Sequence, residues 1–372
     1  MERCLDRERQ IKGIRYSLSL LILAACLGLV GCATPRSESR LEKPHHTGEG
    51  FQNLPGGRDK PGFGDFLSWQ WERVIRDLPP QDASRVQKVP LDPSTLQTPG
   101  PGWRMTWLGH ASVHLQIDGL QVLIDPVLSG RASPFDRFGP QAYNEPPVSI
   151  AQLPRIDLVL ISHNHYDHLD ARTVRALNMQ PGGPPTFVVP LGVDAYLREW
   201  GVASIRVMDW YDTALFALPL RQNAQLTLEM IPAHHWSRRT LWDTNKTLWA
   251  GFRLQTKDLH LVYTGDTGYS TIFADMARHW SPIDWLLVPV GCYEPRWFMK
   301  AQHVNPAEAQ QITQDLGARQ ALGVHWGVFR LCDEAVEQPM IDLQKAQENL
   351  PATATRIQMW AIGESRLLRS DR

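Results

Sequence analysis

Cysteine is scarce in this chain of 372 residues, and neither sign of charge is in excess. With 38 basic and 39 acidic side chains the net charge is −1, and the basic residues are interspersed rather than gathered. No stripe of Lys and Arg is available to neutralise a phosphate backbone, which excludes nucleic acid as a partner. Five cysteines spread over this length are no disulfide framework, so the fold must rest on an apolar core. Long apolar runs are missing too. The longest, Leu18 to Val30, falls short of the roughly 20 residues that span a bilayer as a helix. No internal repeat is visible.

Tryptophan, by contrast, is abundant at 14 residues, which suits a large packed core. The N-terminus is patterned. Arg3, Arg7, Arg9, Lys12 and Arg15 precede the apolar run, and Gly31-Cys32 closes it, the layout of a secretory signal over residues 1–31. Leu29-Val30-Gly31-Cys32 resembles the bacterial lipobox, which implies a lipid on Cys32 and anchoring in the bacterial cell envelope. Ala33 after it resembles lipoproteins sorted to the outer membrane facing the periplasm. Removal of Cys4 and Cys26 with the signal leaves Cys292 and Cys332 free to form one disulfide in an oxidising compartment. Residues 32–64, rich in Pro, Gly, Ser and charge, read as a tether in which His45 and His46 are incidental. The body is then 65–372. Phe66, Leu67, Trp69, Trp71, Val74 and Ile75 have helical spacing, so a short amphipathic helix is expected over Phe63 to Leu78, packed on the body or touching lipid.

From Trp103 onward β-like runs follow at Val113–Ile117, Val122–Asp125, Asp157–Ile161, Thr186–Val189, Leu226–Ile231, Leu259–Tyr263 and Trp285–Val290. Helical patterns lie at Ala171–Leu177 and Val193–Trp200. A third at Pro306–Leu316 carries Asn305 as cap and Glu308 at the capping-box position. Strand-rich halves each followed by helices predict an α/β fold, two sheets face to face with helices outside, an αββα sandwich.

The strongest chemical signal is Ser162-His163-Asn164-His165-Tyr166-Asp167-His168-Leu169-Asp170, directly after the apolar strand. Three imidazoles and a carboxylate crowded into six residues suit Zn²⁺, Mn or Fe, and burying them together without a cation would be costly. Further candidate ligands stand at predicted strand ends: the pair His234-His235, Asp266 between glycines, and His325 in Gly-Val-His-Trp-Gly.

The H-x-H-x-D-H motif, the separate His, Gly-Asp-Thr-Gly and His-Trp-Gly resemble the metallo-β-lactamase superfamily. More narrowly, Thr106-Trp-Leu-Gly-His-Ala111, Ser129-Gly-Arg-Ala-Ser-Pro134, His235-Trp-Ser-Arg-Arg-Thr240, Gly265-Asp-Thr-Gly-Tyr269, Tyr293-Glu-Pro-Arg-Trp-Phe-Met-Lys300 and Gln302-His303-Val304 resemble the N-acylphosphatidylethanolamine-hydrolysing phospholipase D family, over about residues 50 to 365. The resemblance implies two divalent ions, one on His163, His165 and His235, the other on Asp167, His168 and His325, with Asp266 bridging. It implies a phosphodiesterase of phospholipase D type that uses a metal-bridging hydroxide on a phospholipid in the membrane. Asp167 and His303 are the expected catalytic groups, with His303 a possible proton source for the leaving group. Tyr166 and Gln302 are expected near the substrate. A lactonase or other acyl-ester hydrolase of the same fold is the alternative.

Overall fold

In the computed structural model, which describes residues 43–97, 100–135, 137–280 and 282–369, the apolar runs are strands buried on both faces. Leu158, Leu160, Val122, Ile124 and Val188 point into one core, whereas Val159, Ile161, Leu123, Phe187 and Val189 point into a second. This period of two accounts for runs that are apolar throughout instead of alternating.

The first sheet comprises β1 (Trp103–Gly109), β2 (Ser112–Ile117), β3 (Leu120–Ile124), β4 (Leu158–Leu160), β5 (Thr186–Pro190) and β6 (Ile205–Met208). The second comprises β7 (Thr213–Ala217), β8 (Gln225–Ile231), β9 (Gly251–Gln255), β10 (His260–Tyr263), β11 (Trp285–Pro289), β12 (Gln320–Val324) and β13 (Ile357–Gln358). The last strand, β14 (Ser365–Leu368), returns to the first sheet and pairs antiparallel with β1. The orders are β14-β1-β2-β3-β4-β5-β6 and β13-β12-β11-β10-β9-β8-β7. Within each sheet, strands β3 to β6 and β10 to β13 run parallel, so their carboxyl ends gather along one edge.

The main core lies between the inner faces, with Met105, Trp107 and Leu115 of one sheet in the same cluster as Leu228, Phe252 and Leu261 of the other. Truncating a fully buried side chain such as Leu115 to Ala costs about 2–5 kcal/mol. Helices close the outside of this αββα sandwich. Of these, α1 (Phe63–Ile75), α2 (Ala171–Asn178), α3 (Asp194–Glu199), α4 (Ile272–Ala277), α5 (Pro306–Asp315) and α6 (Gln338–Gln347) follow in chain order. Asp170, the last residue of the metal motif, caps α2 by accepting from the backbone N–H of Arg172 and Thr173. The capping box of α5 forms: Asn305 accepts from Glu308 N at 2.9 Å, and Glu308 accepts from Asn305 N at 3.2 Å. Helix α1 stops at Ile75, ahead of Pro79 and Pro80, which cannot continue it.

The signal segment and Cys32 lie outside the described residues. The tether expected over 32–64 is corrected where it is described: from Pro44 the chain belongs to the body. Phe51 is buried, Asn53 donates its amide to the carbonyl of His235, and Gly57 fits only because it has no Cβ, which would come 2.2 Å from the His234 ring. We call residues 44–57 the strap. Cys292 and Cys332 form a disulfide across the loops that follow β11 and β12.

Candidate metal centre

Every residue of the centre follows the end of a strand. His163 to His168 follow β4, His235 follows β8, Asp266 follows β10 and His325 follows β12. The turns are tight. His110, Asp125, Cys292 and His325, none of them glycine, have φ values of 50°, 40°, 65° and 64°, a left-handed backbone concentrated around one site. Gly265 needs its φ of 65° and its bare Cα, since a Cβ would come 2.4 Å from the carbonyl of Ala250. That close approach lowers Asp266 into the cluster.

Two groups of donors result. His163 Nε2 lies 2.8 Å from His165 Nδ1, which lies 3.3 Å from His235 Nε2. Across the site, His168 Nε2 is 3.1 Å from Asp266 Oδ2, and His325 Nε2 is 3.1 Å from Asp167 Oδ2 and 3.0 Å from Asp266 Oδ2. Asp266 stands between the groups, 3.9 Å from His235 Nε2. Its other oxygen, Oδ1, is buried with no hydrogen-bond partner among the described residues. A carboxylate oxygen so placed fits a cation. The whole set of imidazoles and carboxylates, converging through ring nitrogens held by fixed neighbours, fits a pair of divalent metals.

Electrostatics divide the histidines. Burial, reinforced by neighbouring imidazoles, pushes His163, His165 and His235 well below the ordinary histidine value, so all three are neutral and ready to ligate. Burial opposes protonation of His168 and His325 as well. The carboxylates prevail there, raising His168 well above its usual value and His325 to about 9. Asp167 and Asp266 answer in kind: burial works to raise them, but the imidazoles around them hold both well below the carboxylate range.

Supporting contacts orient the donors. His235 Nδ1 donates to the backbone carbonyl of Gln302 at 2.8 Å. His168 Nδ1 donates to Asp125 Oδ2 at 2.8 Å. Asp125 and His110, whose Nε2 lies 3.0 Å from Asp167 Oδ2, belong to the site and were not singled out by the sequence reading. A strand ending in a left-handed residue was the signal in both cases, and it is faint in sequence.

The neighbouring histidines separate cleanly. His234 turns from the cluster, its Nε2 donating to the carbonyl of Arg58 at 2.7 Å. His303 is buried, with Nδ1 3.9 Å from Asp266 Oδ2, and burial lowers it to about 4. At neutral pH it is therefore an acceptor or ligand. The Gln302 side chain is buried beside Met299, and its main role here is the carbonyl that holds His235. Tyr166 donates its hydroxyl to the carbonyl of Arg239, whose guanidinium sits 4.0 Å from the centre of the tyrosine ring.

Residues 121–326 match the family model described as the beta-lactamase superfamily domain. An uncharacterized protein of Mycobacterium tuberculosis is 40% identical over 285 residues, 75% of this chain and 72% of that one. The N-acyl-phosphatidylethanolamine-hydrolyzing phospholipase D 1 of Caenorhabditis elegans is 34% identical over 343 residues, 86% of this chain and 93% of that one. Among solved structures, the isothiocyanate hydrolase from Delia radicum gut bacteria shares the fold, with a TM-score of 0.56 at 19% identity over 72% of this chain and 99% of that one.

Proposed function

The chain belongs to the metallo-β-lactamase superfamily and is a metal-dependent hydrolase of that fold; from that premise we propose a phosphodiesterase of phospholipase D type acting on N-acylphosphatidylethanolamine or a related phospholipid. One observation carries the reading: the likeness to the nematode phospholipase spans 93% of that enzyme, in a chain whose two donor groups share a central carboxylate.

His163, His165 and His235 would hold one ion, Asp167, His168 and His325 the other, with Asp266 between them. Two divalent cations held there would supply Lewis acidity toward water and would neutralise charge on a phosphoryl group, and Zn²⁺ suits this donor set. The chain itself keeps the ligand nitrogens aimed through the Asp125 and Gln302 contacts. Neutral His303 is placed to accept a proton from a water or hydroxyl beside Asp266.

Positive charge at the rim supports an anionic substrate over a neutral lactone. Lys60 Nζ lies 3.8 Å over the Trp236 ring, with the Arg238 guanidinium 5.2 Å from the same ring, and Trp236 meets His165 edge-on at 4.7 Å. Burial and Arg238 lower Lys60 to about 8, which still leaves it charged at neutral pH.

Helix α1 supports a lipid interface. Trp69 docks it by stacking on Phe298 at 4.9 Å, while Phe63, Trp71 and Ile75 remain 64%, 62% and 61% exposed. Among the described residues no helix is long and apolar enough to cross a membrane. We propose that a lipid on Cys32 anchors the chain at the outer membrane facing the periplasm, a location that the Cys292–Cys332 disulfide supports.

The test is a substrate panel on the metal-loaded full chain: N-acylphosphatidylethanolamine vesicles, bis-p-nitrophenyl phosphate, a lactone and nitrocefin. Release of N-acylethanolamine and phosphatidate is expected. Hydrolysis of the lactone with both phosphodiesters untouched would overturn the reading.

A further inference from the structure

A second set of metal-type donors lies outside the centre, where the strap meets the turn between β6 and β7. His45 Nε2 is 2.7 Å from Asp209 Oδ1, and His46 Nε2 is 2.9 Å from Asp209 Oδ2. The three donor atoms lie within 4.8 Å of one another, and all three side chains are at least nine-tenths buried. The imidazole–carboxylate approach is of the same kind as that of His168 Nε2 to Asp266 Oδ2 in the main centre, at 3.1 Å.

The ring geometry repeats as well. His45 and His46 stand 4.5 Å apart at 79°, and His163 and His165 stand 4.5 Å apart at 80°. In both pairs two imidazoles meet edge to face, so that one nitrogen of each points at a common region. Each donor is steadied by contacts that leave its ligating atom directed inward. His45 stacks on Trp210 at 4.2 Å, His46 meets the Phe51 ring at 5.2 Å, and Asp209 receives the Trp210 N–H on Oδ1 at 2.8 Å while its own N–H donates to Asp212. Such backing is what fixes a ligand's orientation in a metal site.

We propose that His45, His46 and Asp209 form a third metal site, suited to Zn²⁺. Two imidazoles and a carboxylate are borderline donors that this ion accepts. The consequence is local order in the strap. An ion here ties residues 44–57 to the β6–β7 turn, and the same strap carries Asn53, which donates to the His235 carbonyl at 2.9 Å and accepts the His235 N–H at 3.0 Å. The third ion thus steadies a residue of the main centre from a distance.

The alternative is a metal-free clamp in which both imidazoles donate to the carboxylate, and one variant separates the two. His46→Gln retains an N–H donor for Asp209, so a clamp survives, but it removes an imidazole ligand. The full chain is loaded with excess Zn²⁺, desalted, and assayed for zinc by mass spectrometry beside His46→Gln and Asp209→Asn, with circular dichroism to verify folding. The folded His46→Gln protein should hold one equivalent of zinc fewer than wild type. Mild chelation should also speed proteolysis within the strap of wild type and leave the already faster cleavage of His46→Gln unchanged. Equal zinc in wild type and folded His46→Gln overturns the site.

Discussion

Asp125 faces neither group of metal donors from inside, yet its conversion to Asn should weaken one ion selectively. Its fully buried carboxylate accepts from Ser162 N at 2.7 Å, Ser162 Oγ at 2.5 Å, His168 Nδ1 at 2.8 Å and Tyr263 Oη at 2.7 Å. Two of these bonds matter most. The one to His168 keeps the proton on Nδ1 and turns Nε2 toward Asp266, and the one to Tyr263 fills the same oxygen, Oδ2. An asparagine has one acceptor oxygen, so at least one donor must face its NH₂ group. The cost of that orphan is about 1–3 kcal/mol of stability. Metal affinity at the Asp167, His168, His325 group should fall about 10 to 100-fold, the usual effect of removing a ligand's supporting carboxylate. In free energy this is about 1.4 to 2.7 kcal/mol. Competition with a chromophoric chelator, resolved into two dissociation constants for the main centre, reads the change directly. The ion on His163, His165 and His235 should be affected less, because Asp125 reaches His163 only through Ser162 Oγ, which lies 2.9 Å from His163 Nδ1. Unchanged affinity for both, or loss confined to that first ion, would refute the reasoning.

Further outcomes follow from the same geometry. His235→Ala should lose one ion, whereas His234→Ala should keep both and instead loosen the strap, seen as faster proteolysis near Arg58, because the His234 ring backs Gly57 and bonds the Arg58 carbonyl. Metal uptake by apoprotein should release about two protons near pH 7, from the raised His168 and His325, measured by calorimetry in buffers of different ionisation enthalpy. The sign is fixed by those shifts: protons compete below the folded pKa, so apparent affinity climbs with pH until His325 has titrated at about 9 and climbs less steeply above it. A pH-independent affinity between 6 and 8 would contradict this protonation. The disulfide closes a separation of 40 residues, which on chain-entropy grounds is worth about 4 kcal/mol, so Cys332→Ser should unfold at distinctly lower urea than the oxidised chain.

What could be read from the sequence depended on the scale of each signal. The metal motif is local, four donors in six residues behind an apolar strand, and His235 and Asp266 follow strands long and apolar enough to recognise, whereas β12 before His325 has the mixed sequence Gln-Ala-Leu-Gly-Val and is not legible as a run. Strands buried on both faces were visible as unbroken runs. Edge strands such as β6 and β7 were not, because exposed positions interrupt them, as in the alternating burial of Thr213–Ala217. The strap was misread for a different reason. Its Pro, Gly and polar composition is that of a linker, and its docking uses single hydrogen bonds to partners 164 and 182 residues away, which no window of sequence contains. Asp125 and His110 escaped notice similarly: an isolated acid or imidazole carries no spacing pattern, and its meaning depends on which loop it faces.

The seam between the two sheets draws its parts from distant stretches of the sequence. His163 to His168 follow β4, but Asp167 and Asp266 meet His325 only through the turn after β12, and β1 takes its outer neighbour from β14. A chain without β12 and its following turn would keep Asp167 and Asp266 but lose His325, leaving both carboxylates short of a buried partner. A change within Ser365–Leu368 therefore reaches the first strand of the fold directly, through the β14–β1 ladder.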